Sequence, residues 1–158
     1  MQYTPLISGG LALSVIPSDN ANIPYPNKLE VGTSTNTATN ELVDTSKDFT
    51  LSVNIGDIVY NTTTAAAGTV VEVVSATVLK LNADILVSGE NYIVYCGSDI
   101  CADARGGCVI RVNGTGNVTV TTINDDVILF TVQAGEYLPV RVKRVAYGAT
   151  ATGIVAIW

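Results

Sequence analysis

The sequence predicts an all-β protein: a small antiparallel β-sandwich or barrel with a second small β module inserted into it. Three observations carry this. Hydrophobic residues make up 47% of the 158 positions, mostly Val, Ile and Ala, with Thr close behind. β-Branched side chains are stiff at χ1 and fit a pleated sheet better than a helix. Short apolar runs also alternate with turn residues at a spacing of roughly 8–12, and no segment keeps a capped 3.6-residue period.

The elements follow in order. Residues 11–16 read as a strand stopped by Pro17. Residues 17–26 (PSDNANIPYP) carry three prolines, which cannot donate to a ladder and push their predecessors into extended geometry. This stretch reads as an irregular arm. Residues 28–32 form a short strand, and the Thr/Ser/Asn-rich stretch 33–40 reads as a linker or loop. Next come a turn at 54–57 and strands at 58–61, 67–74, 78–81 and 90–95, with a tight connection at 75–77. They suggest a small barrel or curled sheet.

Residues 96–107 are irregular and glycine-rich. The β pattern resumes at 108–112, and Asn113-Gly114-Thr115-Gly116 is a hairpin signal leading into 117–121. A turn at 124–126 precedes a strand at 127–132. A further turn at 134–136 leads into a strand at 137–145, in which Arg144 breaks the alternation and predicts a bulge or strand end. A turn at 148–153 and a last strand at 154–158 complete the chain given. Residues 1–32 and 96–158 are thus expected to form one discontinuous β domain, with 33–95 an inserted barrel-like module. The two ends of such an insert must lie close together, as adjacent strands do.

Only 14% of residues are charged, against roughly 25% in an average soluble domain, so much of the surface is uncharged. Two arrangements fit: coverage by neighbouring subunits, or a Thr/Asn/Ser-rich exterior. The net charge of −6 opposes binding to a phosphate backbone, so nucleic acid is not an expected partner. No apolar run reaches the length of a membrane-spanning helix, so neither is a membrane. The apolar stretch 6–16 is broken by Gly9 and Gly10 and lacks a basic flank, so it is not read as a secretion signal. The glycosylation-type triplets at Asn61, Asn113 and Asn117 are read as coincidence in an Asn/Thr-rich chain.

An enzyme is not expected. The chain contains no His, which removes the usual general base and the commonest zinc ligand. It also lacks a nucleophile elbow, a P-loop and a dinucleotide fingerprint. Asp125 and Asp126 are adjacent and would point to opposite faces, so they read as a solvated turn, as do Asp44 and Asp48. Cys96, Cys101 and Cys108 fall one thiol short of a closed zinc site, and a fourth ligand would have to be Asp99 or Asp103. They read as small buried thiols in a glycine-rich loop, with one disulfide plus a spare thiol as the alternative after release from a reducing cytoplasm. Asp19-Asn20-Ala21-Asn22 offers oxygens to calcium, but no Glu follows at loop spacing. No cofactor or metal is expected. Arg141, Lys143 and Arg144 form a basic cluster, either a charged outer strand face or an electrostatic contact with an acidic partner.

Four stretches carry a resemblance to a known family. They are Val15-Ile16-Pro17-Ser18-Asp19, Ile23-Pro24-Tyr25-Pro26, Leu138-Pro139-Val140-Arg141-Val142-Lys143-Arg144-Val145 and Ala149-Thr150-Ala151-Thr152-Gly153-Ile154-Val155-Ala156. Together they resemble the head-spike base proteins of gene transfer agents and related tailed bacteriophages, a family of small capsid-associated virion proteins. The resemblance covers residues 11–32 and 107–158, and residues 33–95 resemble a small β unit that recurs in phage structural proteins. The family's turn before the last strand is richer in Thr; here Tyr147 and Ala149 flank Gly148. The resemblance implies a structural virion protein on the capsid exterior, as a head-spike base, vertex or decoration (cement) protein assembled in the host bacterial cytoplasm. Its partners would be copies of itself, in a ring or trimer, and the major capsid protein or other virion proteins. Expected contact residues are Pro17, Pro24, Tyr25 and Pro26 on the arm, Arg141, Lys143 and Arg144, and the terminal Trp158. The alternatives are a tail, adaptor or baseplate component, and a glycan-binding β module using exposed Tyr or Trp platforms.

Overall fold

β5 (Ala66–Ser75) shows how this sequence makes its architecture, because it serves two neighbours in turn. Its first part pairs with β4 (Ile58–Asn61), from Ile58 opposite Thr69 to Asn61 opposite Ala66. Its second part pairs with β6 (Val78–Leu81), with register slips between Val70 and Glu72 and between Val73 and Ser75. Such slips sharpen twist and bend the sheet. The structure is a computed structural model that describes residues 11–97, 99–101 and 106–158. Asp103, Arg105 and the part of the apolar stretch before Leu11 lie outside the described residues.

The bent sheet is a six-stranded half-barrel in the order β2-β7-β4-β5-β6-β3, with every pairing antiparallel. Here β2 is Lys28–Thr33, β3 is Glu41–Val43 and β7 is Asn91–Tyr95. The curl brings β3 round to the chain that leaves β2. The Thr35 amide donates to the Val43 carbonyl at 2.7 Å, and the buried Ser34 hydroxyl reaches the carbonyls of Asn36 (2.9 Å) and Val43 (3.3 Å). The stretch expected to be a linker or loop is thus a loop from residue 34 on, and it closes the half-barrel. β3 and the 3-10 turn Phe49–Leu51 follow it unforeseen, the turn capped by Asp48. Leu42, Phe49, Val70, Leu79 and Tyr92 fill the interior.

The remaining strands form two three-stranded sheets. One has the order β1-β12-β8, from Ala12–Ser14, Val155–Ile157 and Val109–Arg111. The other has the order β10-β9-β11, from Val127–Val132, Gly116–Thr122 and Val142–Val145. Leu13, Ile110, Val118, Val120, Val142 and Ala156 pack in the core they share. The expected strand at 137–145 is reduced to its last four residues, Pro139 sitting in the part lost, and the slip expected at Arg144 is present between Val142 and Arg144. The all-β fold is as the composition predicts.

Two expectations are corrected. Asn113-Gly114-Thr115-Gly116 does not make a hairpin: β8 and β9 are unpaired and belong to different sheets. The Asn113 and Gly114 amides both donate to the Thr152 carbonyl (3.1 and 2.9 Å), so the turn docks on the loop before β12 and carries the chain across the sandwich. β2 belongs not to the split domain but to the half-barrel, as the partner of β7. The chain passes between the two units where the Cys96 amide donates to Asn27 (3.0 Å) and the Tyr25 amide to Cys96 (3.1 Å). Residues 27 and 96 thus lie side by side, where the chain enters and leaves the half-barrel.

β4 unites the two cores. All four of its residues are buried. Alternation along a strand sends Val59 into the half-barrel and Ile58 and Tyr60 into the sandwich core, where Ala67 and Tyr95 join them. The Tyr60 and Tyr95 rings meet edge to face, with centroids 5.4 Å apart.

Candidate protein interface

The Pro-rich arm, which carries four of the expected contact residues, is hydrogen-bonded within its own chain. The Ser18 and Ile23 amides donate to Val145 and Lys143 on β11 (2.9 and 2.8 Å). On its other side the Ser18 hydroxyl donates to Ala67 (3.0 Å), and Thr69 and Asn82 donate to the Asn20 carbonyl (2.8 and 2.7 Å). The arm is therefore a clasp between sandwich and half-barrel. Ser18, Ala21, Ile23 and Pro24 are buried, while Pro17, Tyr25 and Pro26 are half-buried. Fixed φ at the three prolines suits this role, because an already extended segment loses little entropy on docking.

The basic cluster is likewise engaged locally. Lys143 pairs with Asp125, Arg144 donates to the Asp19 carbonyl (3.0 Å) and Arg141 to the Gly107 carbonyl (3.3 Å). Arg141 stays exposed. Trp158 is no open platform: it is half-buried and meets Tyr25 edge to face, with centroids 5.6 Å apart. Its indole N–H is buried without an acceptor among the described residues.

Cys101 and Cys108 are free thiols. Cys108 is 1% exposed, and burial pushes its pKa up to about 12, so it is a small apolar side chain in practice. Among the described residues, no three His, Cys, Asp or Glu side chains gather to hold a metal ion. Asp125 and Asp126 are solvated, as expected. Asp44 is not: it is 1% exposed, and it accepts from the Tyr92 hydroxyl at 2.7 Å and the Ser46 hydroxyl at 2.6 Å. Asp57, fully buried, accepts the Asn54 amide (2.7 Å) and the Gly97 amide (2.9 Å) and so ties the 96–107 loop to the half-barrel. Burial raises the Asp57 pKa above the usual carboxylate value, against the pull of these two bonds.

Two clefts lie where the units meet. One, of about 500 Å³, is lined by Leu13, Ile16, Pro26, Lys28, Tyr60 and Tyr95 among others, and is largely apolar. The other, of about 270 Å³, is polar, with Asp19, Asn20, Asn22, Asp99 and Arg144 in its wall. Asn22 and Asp99 bond across it at 3.3 Å.

Among the described strands, the largest apolar exposure is on β10. Val127 is 70% and Leu129 63% exposed, and Ile128 between them is 37% exposed. Phe130 and Val132 turn inward to the sandwich core, so one strand contributes to both core and surface. From the sequence, 127–132 reads as an ordinary strand. Its unbroken Val-Ile-Leu-Phe run, in a sheet whose next strand alternates Val with Thr, was the available signal that its outer face is apolar too. Comparison with protein-family models, with curated proteins and with solved structures finds no match to this chain.

Proposed function

We propose that the chain is a structural virion protein of a tailed phage or gene transfer agent. In this reading it attaches to the capsid exterior as a head-spike base, vertex or decoration protein, and it works through surfaces rather than a pocket. The observation that carries the reading is where the resembling stretches lie. Far apart in sequence, they are contiguous in space: Val15 donates to Ile154 (2.9 Å), Ser18 to Val145 and Ile23 to Lys143. The arm and the two C-terminal stretches therefore form one unit, as the resemblance requires of a shared domain. The sparse charge and the apolar exposure on β10 fit a surface that other subunits cover.

The test is location. Gold-labelled protein, added to particles of its own source from which the chain has been deleted, is expected to decorate heads. Decoration of tails would replace this reading with the tail, adaptor or baseplate one, and binding to neither would overturn it.

A further inference from the structure

β10 ends its sheet with one side open. Its ladder partner is β9, and among the described residues no strand pairs with its other side. An open edge is a template for another strand, and folded proteins normally cover or blunt it. The other edges here are managed in that way. β11 accepts hydrogen bonds from the arm, and β8 is flanked by the bridges Cys108–Val142 and Arg111–Tyr137. β3 is met by Thr35, β2 carries Lys28, Glu30 and a register slip between them, and β1 is three residues long. β10 has six residues, no charge, no slip and, among the described residues, no cover.

The phase of its hydrogen bonds can be read from the turn. The Thr122 amide donates to Asp126 at 2.9 Å, and the Thr119 carbonyl, on β9, accepts from Ala146 on the far side. Antiparallel pairs alternate, so Ile128, Phe130 and Val132 bond inward to β9. The N–H and C=O groups of Val127, Leu129 and Thr131 then face outward.

We infer that two copies of this chain pair antiparallel through β10 about a twofold axis at Leu129. Leu129 lies opposite Leu129 of the second copy, and Val127 opposite Thr131, so all outward donors and acceptors are satisfied reciprocally. The contact is isologous and closes on itself. Charge selects the antiparallel sense. Asp125 and Asp126 precede the strand and the uncharged Gln133 follows it, so antiparallel pairing sets each acidic end beside an uncharged one. Parallel pairing would stack Asp125 and Asp126 on their own copies, which is unfavourable. The pairing also brings the exposed Val127 and Leu129 side chains of both copies onto one surface. This twofold contact is distinct from the ring or trimer that the resemblance implies, and it does not depend on capsid attachment.

The experiment is sedimentation of the full-length chain over a concentration series, with amide hydrogen exchange on the same samples and no capsid present. Association into a two-copy species is expected, with the amides of Val127, Leu129 and Thr131 becoming protected as it forms. Leu129→Pro removes an outward amide and no bond to β9, so it is expected to weaken association by about 100-fold or more while the fold is kept. Leu129→Lys keeps the amide but sets two like charges face to face, so it too is expected to weaken association, less so at high salt. That variant decides the matter if the proline variant does not fold. A chain that stays monomeric throughout would overturn the inference. So would an oligomer in which these three amides exchange freely, or one that the folded variants leave unchanged. Because no capsid is present, failure here is distinguishable from failure to bind heads.

Discussion

The phenol of Tyr92, wholly buried in the half-barrel, donates a 2.7 Å hydrogen bond to the carboxylate of Asp44, which is almost as deeply buried. Burial and the neighbouring carboxylate both hold the phenol in its protonated, donating form by raising its pKa. The pair joins β7 to the loop after β3, elements 48 residues apart in sequence and on different strands of the curl. Tyr92→Phe leaves a buried carboxylate short of one donor, and a loss of about 1–3 kcal/mol is expected in urea unfolding. No loss would mean that water reaches Asp44.

The same carboxylate makes acid stability sensitive to this bond. Burial pushes the Asp44 pKa up, but hydrogen bonds from Ser46 and Tyr92 outweigh it and leave it lowered. Glu30 is lowered by the Ser52 hydroxyl at 2.6 Å and by Lys47 at 3.1 Å, against its own partial burial. A carboxyl lowered in the folded state stabilises above its unfolded pKa, and that contribution is lost as pH falls through the folded value. Stability is therefore expected to fall below about pH 4. Asp57, whose pKa is raised, contributes with the opposite sign. In Tyr92→Phe the acid-side slope should flatten; an unchanged slope would assign the acid sensitivity elsewhere.

Tyr60 lies in the core shared by the sandwich and the half-barrel, and its hydroxyl faces the Ile16 amide at 3.5 Å. Tyr60→Ala should cost about 3–5 kcal/mol and destabilise both units together. Denaturant unfolding of the wild-type chain should accordingly show one transition by both fluorescence and circular dichroism. Two separated transitions would mean that β4 does not couple the units.

Much of this was legible in the sequence, for reasons particular residues make clear. Strand identity was readable because Val, Ile and Thr alternate, as at Val118 and Val120, and because the turn at 124–126 ends one strand and begins the next. Pairing was less so. Asn113-Gly114 has hairpin chemistry, yet its amides found Thr152, which no local rule reveals. The arm was recognisable as extended from its prolines, but whether it reached a neighbour or its own β11 depended on a contact 120 residues away. Asp44 read as a solvated turn residue because burial of a carboxylate is set by a distant Tyr. β10 was visible as a strand, while its open edge became visible only with the order of strands in the sheet.

Gly97 has no room for a side chain. A Cβ there would sit 1.9 Å from the Gly56 carbonyl oxygen, and the backbone amide is committed to Asp57. Gly97→Ala must therefore break the Asp57 contact or shift the Gly56 turn, and a loss of about 1–3 kcal/mol is expected in thermal or urea unfolding. A variant as stable as wild type would show that the loop is not clamped at this point.

Cys108, buried with its pKa pushed up to about 12, should resist maleimide at neutral pH in the folded chain and label fully on denaturation. Cys101, half-buried, should label faster. Rapid native labelling of Cys108, found by peptide mass mapping, would contradict the tight packing of β8 against β11.

The proposed role, covering and joining protein surfaces on a virion head, is tested by adding purified chain to capsids of its own source that lack it and measuring the bound copies per particle. Saturable binding is expected, at a fixed copy number that follows the symmetry of the head. A strictly monomeric chain that leaves those capsids bare at every concentration would contradict it.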